Sequence, residues 1–119
     1  MPELIRCFDS HFHIIDPGFP LVPNQGYLPE AFDTVAYQAA IAALDITVTG
    51  GAVVSGSFQA FDTGYLEHAL TQLGPDTVGV ANVPSTATDA EIVALHAIGV
   101  RAVRFNLYRG GSAAFSELE

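Results

Sequence analysis

The feature that most constrains the fold is a rhythm of apolar runs alternating with capped helical stretches. Apolar runs fall at residues 4–8, 46–55, 78–83 and 100–107, with helix-forming segments between them. Asp33 or Thr34 is a good N-cap for a helix to about Leu44, and Val35, Ala36, Ala39, Ala40 and Ala43 give it an apolar stripe. Asp62 caps a second helix over 63–73 with Tyr65, Leu66, Ala69, Leu70 and Leu73 inward, and Gly74-Pro75 ends it. Thr88-Asp89-Ala90-Glu91 is a capping box that opens a third helix through Ile98, and Gly99 terminates it. A β-α-β-α-β-α-β order with short helix-to-strand connections predicts a parallel α/β sheet. No linker, low-complexity tract or second domain interrupts it, so residues 1–119 read as one unit.

The first run, Leu4-Ile5-Arg6-Cys7-Phe8, reads as a buried strand and leads into Asp9-Ser10-His11-Phe12-His13. Strand alternation predicts Asp9, His11 and His13 on one face, with Ser10 and Phe12 on the other. Two imidazoles so spaced can close on one metal ion or on one substrate, and zinc and its neighbours favour imidazole nitrogen. Histidines at a strand end also occur as a plain polar rim. The same stretch stands where a glycine-rich phosphate loop would follow the first strand of a dinucleotide-binding sheet, which argues against that fold. Residues 14–32 then form a loop carrying Pro17, Gly18, Pro20, Pro23, Asn24, Gly26 and Pro29. A loop of that length is usually functional.

Asp9-Ser10-His11-Phe12-His13 resembles the opening motif of the amidohydrolase superfamily, whose members are TIM-barrel hydrolases. Val54-Ser55-Gly56-Ser57-Phe58, Asp62-Thr63-Gly64-Tyr65-Leu66 and the segment from Gly99 to Leu107 are similar to its lactonase-like, amidohydrolase-2 branch. A TIM barrel takes roughly 250 residues, so the resemblance implies that 119 residues form the N-terminal half of one. It further implies hydrolysis of a lactone or related ester in a carboxylated small molecule. A zinc-dependent decarboxylase of the same fold and a non-catalytic half-barrel assembly module are the alternatives.

The resemblance assigns His11 and His13 as catalytic residues and metal ligands. The cofactor it implies is a divalent metal, zinc first, or none, with the same pair acting as polar substrate contacts. Asp9 would orient the pair from behind. Arg104 is expected to point inward with Val100, Ala102 and Asn106, while Val103, Phe105 and Leu107 pack under helices. A guanidinium aimed into a barrel mouth suits a carboxylate held bidentately. Arg109, Tyr27 and Ser57 match further substrate contacts of the branch. A surface ion pair, an exposed loop tyrosine and a turn serine are the bland roles for these positions. Arg101 is expected to be structural, His68 and His96 surface or satisfied core residues, and Cys7 a small core residue. The superfamily's catalytic aspartate lies on a later strand, so the chain alone is expected to be inactive.

The net charge of −9, with arginine as the only basic side chain besides histidine, argues against nucleic acid or an anionic membrane as partner. The absence of lysine excludes a Schiff-base mechanism. A single cysteine, no signal-peptide pattern and no spanning apolar run predict a cytoplasmic protein. The first and fourth strands would leave open edges, an expected route to homo-oligomers.

Overall fold

A computed structural model describes residues 4–107. The elements are β1 (Ile5–Phe12), α1 (Thr34–Ala42), β2 (Ile46–Val54), α2 (Gly64–Leu73), β3 (Thr77–Asn82), α3 (Asp89–Ala97) and β4 (Val100–Arg104), with a 3-10 turn over Ser57–Gln59. All strand pairs are parallel and the order is β1-β2-β3-β4. Sequential parallel neighbours joined by helices are the repeating (β/α) unit predicted from the sequence.

The core lies between sheet and helices: Ile14, Tyr37, Val53, Tyr65, Leu66, Ala69, Leu70, Ala81 and Val100. Its centre is α2, whose Tyr65, Leu66, Ala69 and Leu70 are buried as expected, with Leu73 partly so. The caps largely follow the sequence. Asp33 accepts from the Ala36 amide at 2.9 Å. Thr88 and Glu91 form the reciprocal capping box. At α2 the N-cap position is Thr63, one residue later than expected; Asp62 still accepts from the first helical amide, Gly64, at 3.0 Å.

Several packing expectations are overturned: Val103 and Leu107, expected to pack under helices, are 44% and 37% exposed on the edge strand β4 and just beyond it. Leu4, Ile5 and Phe8 are 55%, 68% and 56% exposed, because β1 is an edge strand and its first residues have no helix over them. Cys7 is accordingly only half-buried. The alanine stripe of α1 is exposed in large part, and Val35 with it; the helix instead buries Thr34 and Tyr37. Tyr37 wins because it stacks on Phe12 of β1 at 3.9 Å between ring centroids and donates to Asp9 Oδ2 at 2.8 Å.

Register irregularities account for the rest. β1 gains a residue between Asp9 and Phe12 relative to β2, so Asp9 and Phe12 both turn toward α1. Gly51 permits this: a Cβ there would lie 2.8 Å from the Phe12 ring. A further bulge, at Arg101, shifts β4 against β3 between Gly79 and Val80. Val100 therefore joins the core beneath the helices, leaving the face predicted to be shared with Ala102 and Arg104. Arg101 folds back on itself, donating to the carbonyls of His96 at 2.8 Å and Val100 at 2.9 Å, a structural role as expected. Among the described residues no helix is long and apolar enough to cross a membrane.

Candidate active site at the carboxyl end of the sheet

The carboxyl ends of parallel strands are where such sheets bind ligands. Here the end of β2 organises its neighbours through two successive carbonyls. In a strand these point to opposite sides. The Val54 carbonyl accepts from His13 Nδ1 at 2.7 Å. The Ser55 carbonyl accepts from Arg104 Nη1 at 2.6 Å, reaching across β3. One side chain from beyond β1 and one from β4 are thereby fixed to one strand end.

His13 follows Phe12, which faces the helices, so His11 and His13 both lie on the opposite side. Their ring centroids are 5.1 Å apart in an edge-on arrangement. A carbonyl cannot donate, so His13 Nδ1 carries a proton, and the neutral ring presents a lone pair at Nε2. Burial pushes the His13 pKa below its ordinary 6.5, against the opposing effect of the Val54 bond; nearby His11 and Arg104 lower it further. The ring is neutral at pH 7. A second nitrogen anchored on a backbone carbonyl is the usual support of a metal-ligating histidine. His13, so anchored, and the neighbouring His11 fit two of the three protein ligands a catalytic zinc takes, and among the described residues no third histidine, cysteine, aspartate or glutamate joins them. Asp9 is not behind the pair as expected: the bulge commits its carboxylate to the Tyr37 hydroxyl.

Arg104 is half-buried and, among the described residues, pairs with no carboxylate. Beneath it, the Ser55 hydroxyl meets the Tyr65 hydroxyl at 2.5 Å in the core. Burial pushes the Tyr65 pKa up to about 12, so this phenol stays protonated and serves as a fixed hydrogen-bonding post.

The long loop is well ordered by its own hydrogen bonds. Ile15 and Phe32 exchange two backbone bonds that close its base. Residues 24–27 form a tight turn in which Asn24 and Tyr27 exchange backbone bonds, with Gln25 and Gly26 at φ 50° and 83°. That turn seats buried Asn24 against Ser57, whose Oγ accepts from Asn24 Nδ2 at 2.6 Å. Val22 donates to the Phe58 carbonyl at 2.6 Å, and Phe58 meets the edge of His13 at 5.9 Å between centroids. Ser57 thus lies between neighbours that touch the two poles of the site. Tyr27 is 52% exposed on the loop. Arg109 lies outside the described residues.

Sequence reasoning missed several members of this framework. Gln59, 1% exposed, donates to the Ile14 carbonyl at 2.7 Å and accepts from Gly56 at 2.9 Å. Asn82, paired in register with Arg104, donates to the carbonyl of Ala60 at 3.0 Å. Ala60 is at φ 49°, a strained setting for a residue with a Cβ. The only signal for these was the concentration of amide side chains near strand ends. His68 and His96 are exposed, beside Phe19 and Arg101 respectively, as expected of surface histidines.

The profile of the amidohydrolase family matches residues 8–119. A 2-pyrone-4,6-dicarboxylate hydrolase of Comamonas testosteroni is 33% identical over 105 residues, covering 85% of this chain and 33% of that protein. Among solved structures, an apo protein of Agrobacterium tumefaciens superposes with a TM-score of 0.80 at 24% identity, over 98% of this chain and 43% of its own. A probable 2-pyrone-4,6-dicarboxylic acid hydrolase of Acinetobacter baumannii, with citric acid bound, gives a TM-score of 0.74 at 26% identity, over 86% of this chain and 38% of that one. The chain spans about a third of the length of the curated relative it matches.

Proposed function

Because the chain belongs to the amidohydrolase family, we propose that it carries the carboxylate-binding part of a hydrolase site that opens a lactone or related ester ring. Residues 1–119 would constitute one partial (β/α)-barrel domain. The observation that carries the reading is the convergence of Arg104 and His13 on adjacent carbonyls at the end of β2. The similarity to two hydrolases of a pyrone dicarboxylate supports the substrate class.

The division of labour follows from the hydrogen bonds. Arg104 has further N–H groups beyond the one held by Ser55, and their planar fork suits a substrate carboxylate. Ser57, Tyr27 and Arg109 would make the other substrate contacts. His13, neutral with Nδ1 committed to Val54, can accept a proton at Nε2 or ligate a cation; it cannot donate to a carbonyl in that state. Polarising the scissile carbonyl therefore falls to His11 or to a guanidinium N–H. A divalent cation held between His11 and His13 would supply Lewis-acid polarisation and a more acidic bound water.

Binding and turnover separate in the test. Titration of the 119-residue chain with 2-pyrone-4,6-dicarboxylate is expected to show saturable binding. Arg104→Ala should weaken it at least about tenfold, the size of a lost charge-assisted contact. Hydrolysis by this chain alone is expected to stay at background, since among the described residues no carboxylate joins the histidine pair. Absence of binding would refute the substrate class, and turnover above background would refute the claim that the catalytic set is incomplete.

A further inference from the structure

Asn24 lies in a proline-rich loop more than thirty positions from the residue it touches, yet it is 8% exposed and its Nδ2 donates to Ser57 Oγ at 2.6 Å. A serine hydroxyl has one proton and two acceptor lone pairs. With a lone pair engaged by an N–H donor, the Ser57 proton cannot go to that partner and is free to be given elsewhere. Among the described residues none accepts it. The turn over residues 24–27, with its two positive φ angles, holds the amide in place, and Val22 ties the loop to the Phe58 carbonyl next door.

From this geometry we propose that Asn24 is a specificity-determining positioning residue, which by engaging a Ser57 lone pair keeps the hydroxyl proton free for the ligand and so biases the site toward a ligand that presents an anionic or carbonyl oxygen there. The proposal rests on the carboxylate-binding reading above and deepens it. Asn24 acts through Ser57 and need not touch the ligand. An acceptor in its place would take the proton and leave Ser57 offering only lone pairs to a carboxylate.

Citrate is the probe, followed by NMR titration of the 119-residue chain at the Ser57 amide and the Arg104 side chain. Asn24→Ala and Ser57→Ala are each expected to weaken citrate binding about fivefold to tenfold, in the range of a hydrogen bond to a charged group. The double variant should bind no more weakly than Ser57→Ala, because the two residues form one unit. Asn24→Asp keeps the turn chemistry and covers the case in which Asn24→Ala does not fold. It should weaken binding further than Ser57→Ala does, with most of that excess lost once Ser57 is alanine.

Independent, additive losses would overturn the proposal, as would wild-type affinity in Asn24→Asp. If Arg104→Ala abolishes binding while every Asn24 variant is silent, the carboxylate site stands and only the role of Asn24 falls. If citrate shifts neither probe in the unaltered chain, both fall together.

Discussion

Helices α2 (GYLEHALTQL) and α3 (DAEIVALHA) are similarly apolar, yet α2 buries Tyr65, Leu66, Ala69 and Leu70 whereas α3 buries none of its residues. The difference is position in the sheet. α2 covers the interior strands β2 and β3, and its face meets Val53, Ala81 and Val100. α3 lies beside the edge strand β4, so Ile92 and Val93 are 42% and 67% exposed, and Val103 of the strand is 44% exposed. Apolar content decides that a helix can be buried; its neighbours decide whether it is. The functional groups follow the same division. The site hangs from the end of β2, the strand that is fully buried from Gly50 to Val54, and its supports run down into the α2 core through Ser55 and Tyr65.

The contrast can be broken by substitution. Leu66→Ala, which opens a hole at a fully buried position, is expected to destabilise by about 2–5 kcal/mol in a urea melt. A smaller loss, about 1–2 kcal/mol, is expected from Tyr65→Phe, which strands the Ser55 hydroxyl in the core. In the same variant Arg104 should bind carboxylates less well, and unchanged binding would show that the post does not support the site. On α3, Thr88→Ala removes the capping box and should cost about 1 kcal/mol. Ile92→Ala should change the melt by under about 0.5 kcal/mol, as at an ordinary surface position. A loss comparable to that of Leu66→Ala would mean that the face of α3 is covered in solution.

The smallest effect concerns pH. His13 has a folded pKa below its ordinary 6.5, so as pH falls the unfolded chain takes up this proton first. Its contribution to stability is complete above about pH 6.5 and is lost progressively below it. Urea midpoints at pH 7.5 and 5.5 should therefore differ less in His13→Gln than in the unaltered chain.

Much of this architecture was legible in the sequence because caps and helical periodicity are local. The (β/α) order, the capping box at Thr88 and the inward face of α2 all follow from such signals. Bulges are not local signals. The extra residue after Asp9 reversed the expected face of that carboxylate, and the one at Arg101 sent Val100 to the helix side. Alternation arguments assume an unbroken register, and a single insertion inverts them. The exposed alanines of α1 show the same limit, since one aromatic with two good partners outweighed a stripe of small residues. Backbone acceptors have no side-chain signature at all, so the carbonyls of Val54 and Ser55 could be found only from the fold. Asn24 was visible as a turn residue, but its pairing with Ser57 depends on where the loop lands.

The most direct test is an NMR titration of the 119-residue chain with 2-pyrone-4,6-dicarboxylate that follows the His13 imidazole and the Arg104 guanidinium together. If both belong to one mouth built on the end of β2, both signals shift with the same dissociation constant, and Arg104→Ala removes the response at His13 as well. A shift at only one of them, or two different constants, would contradict the central claim that β2 gathers them into a single site.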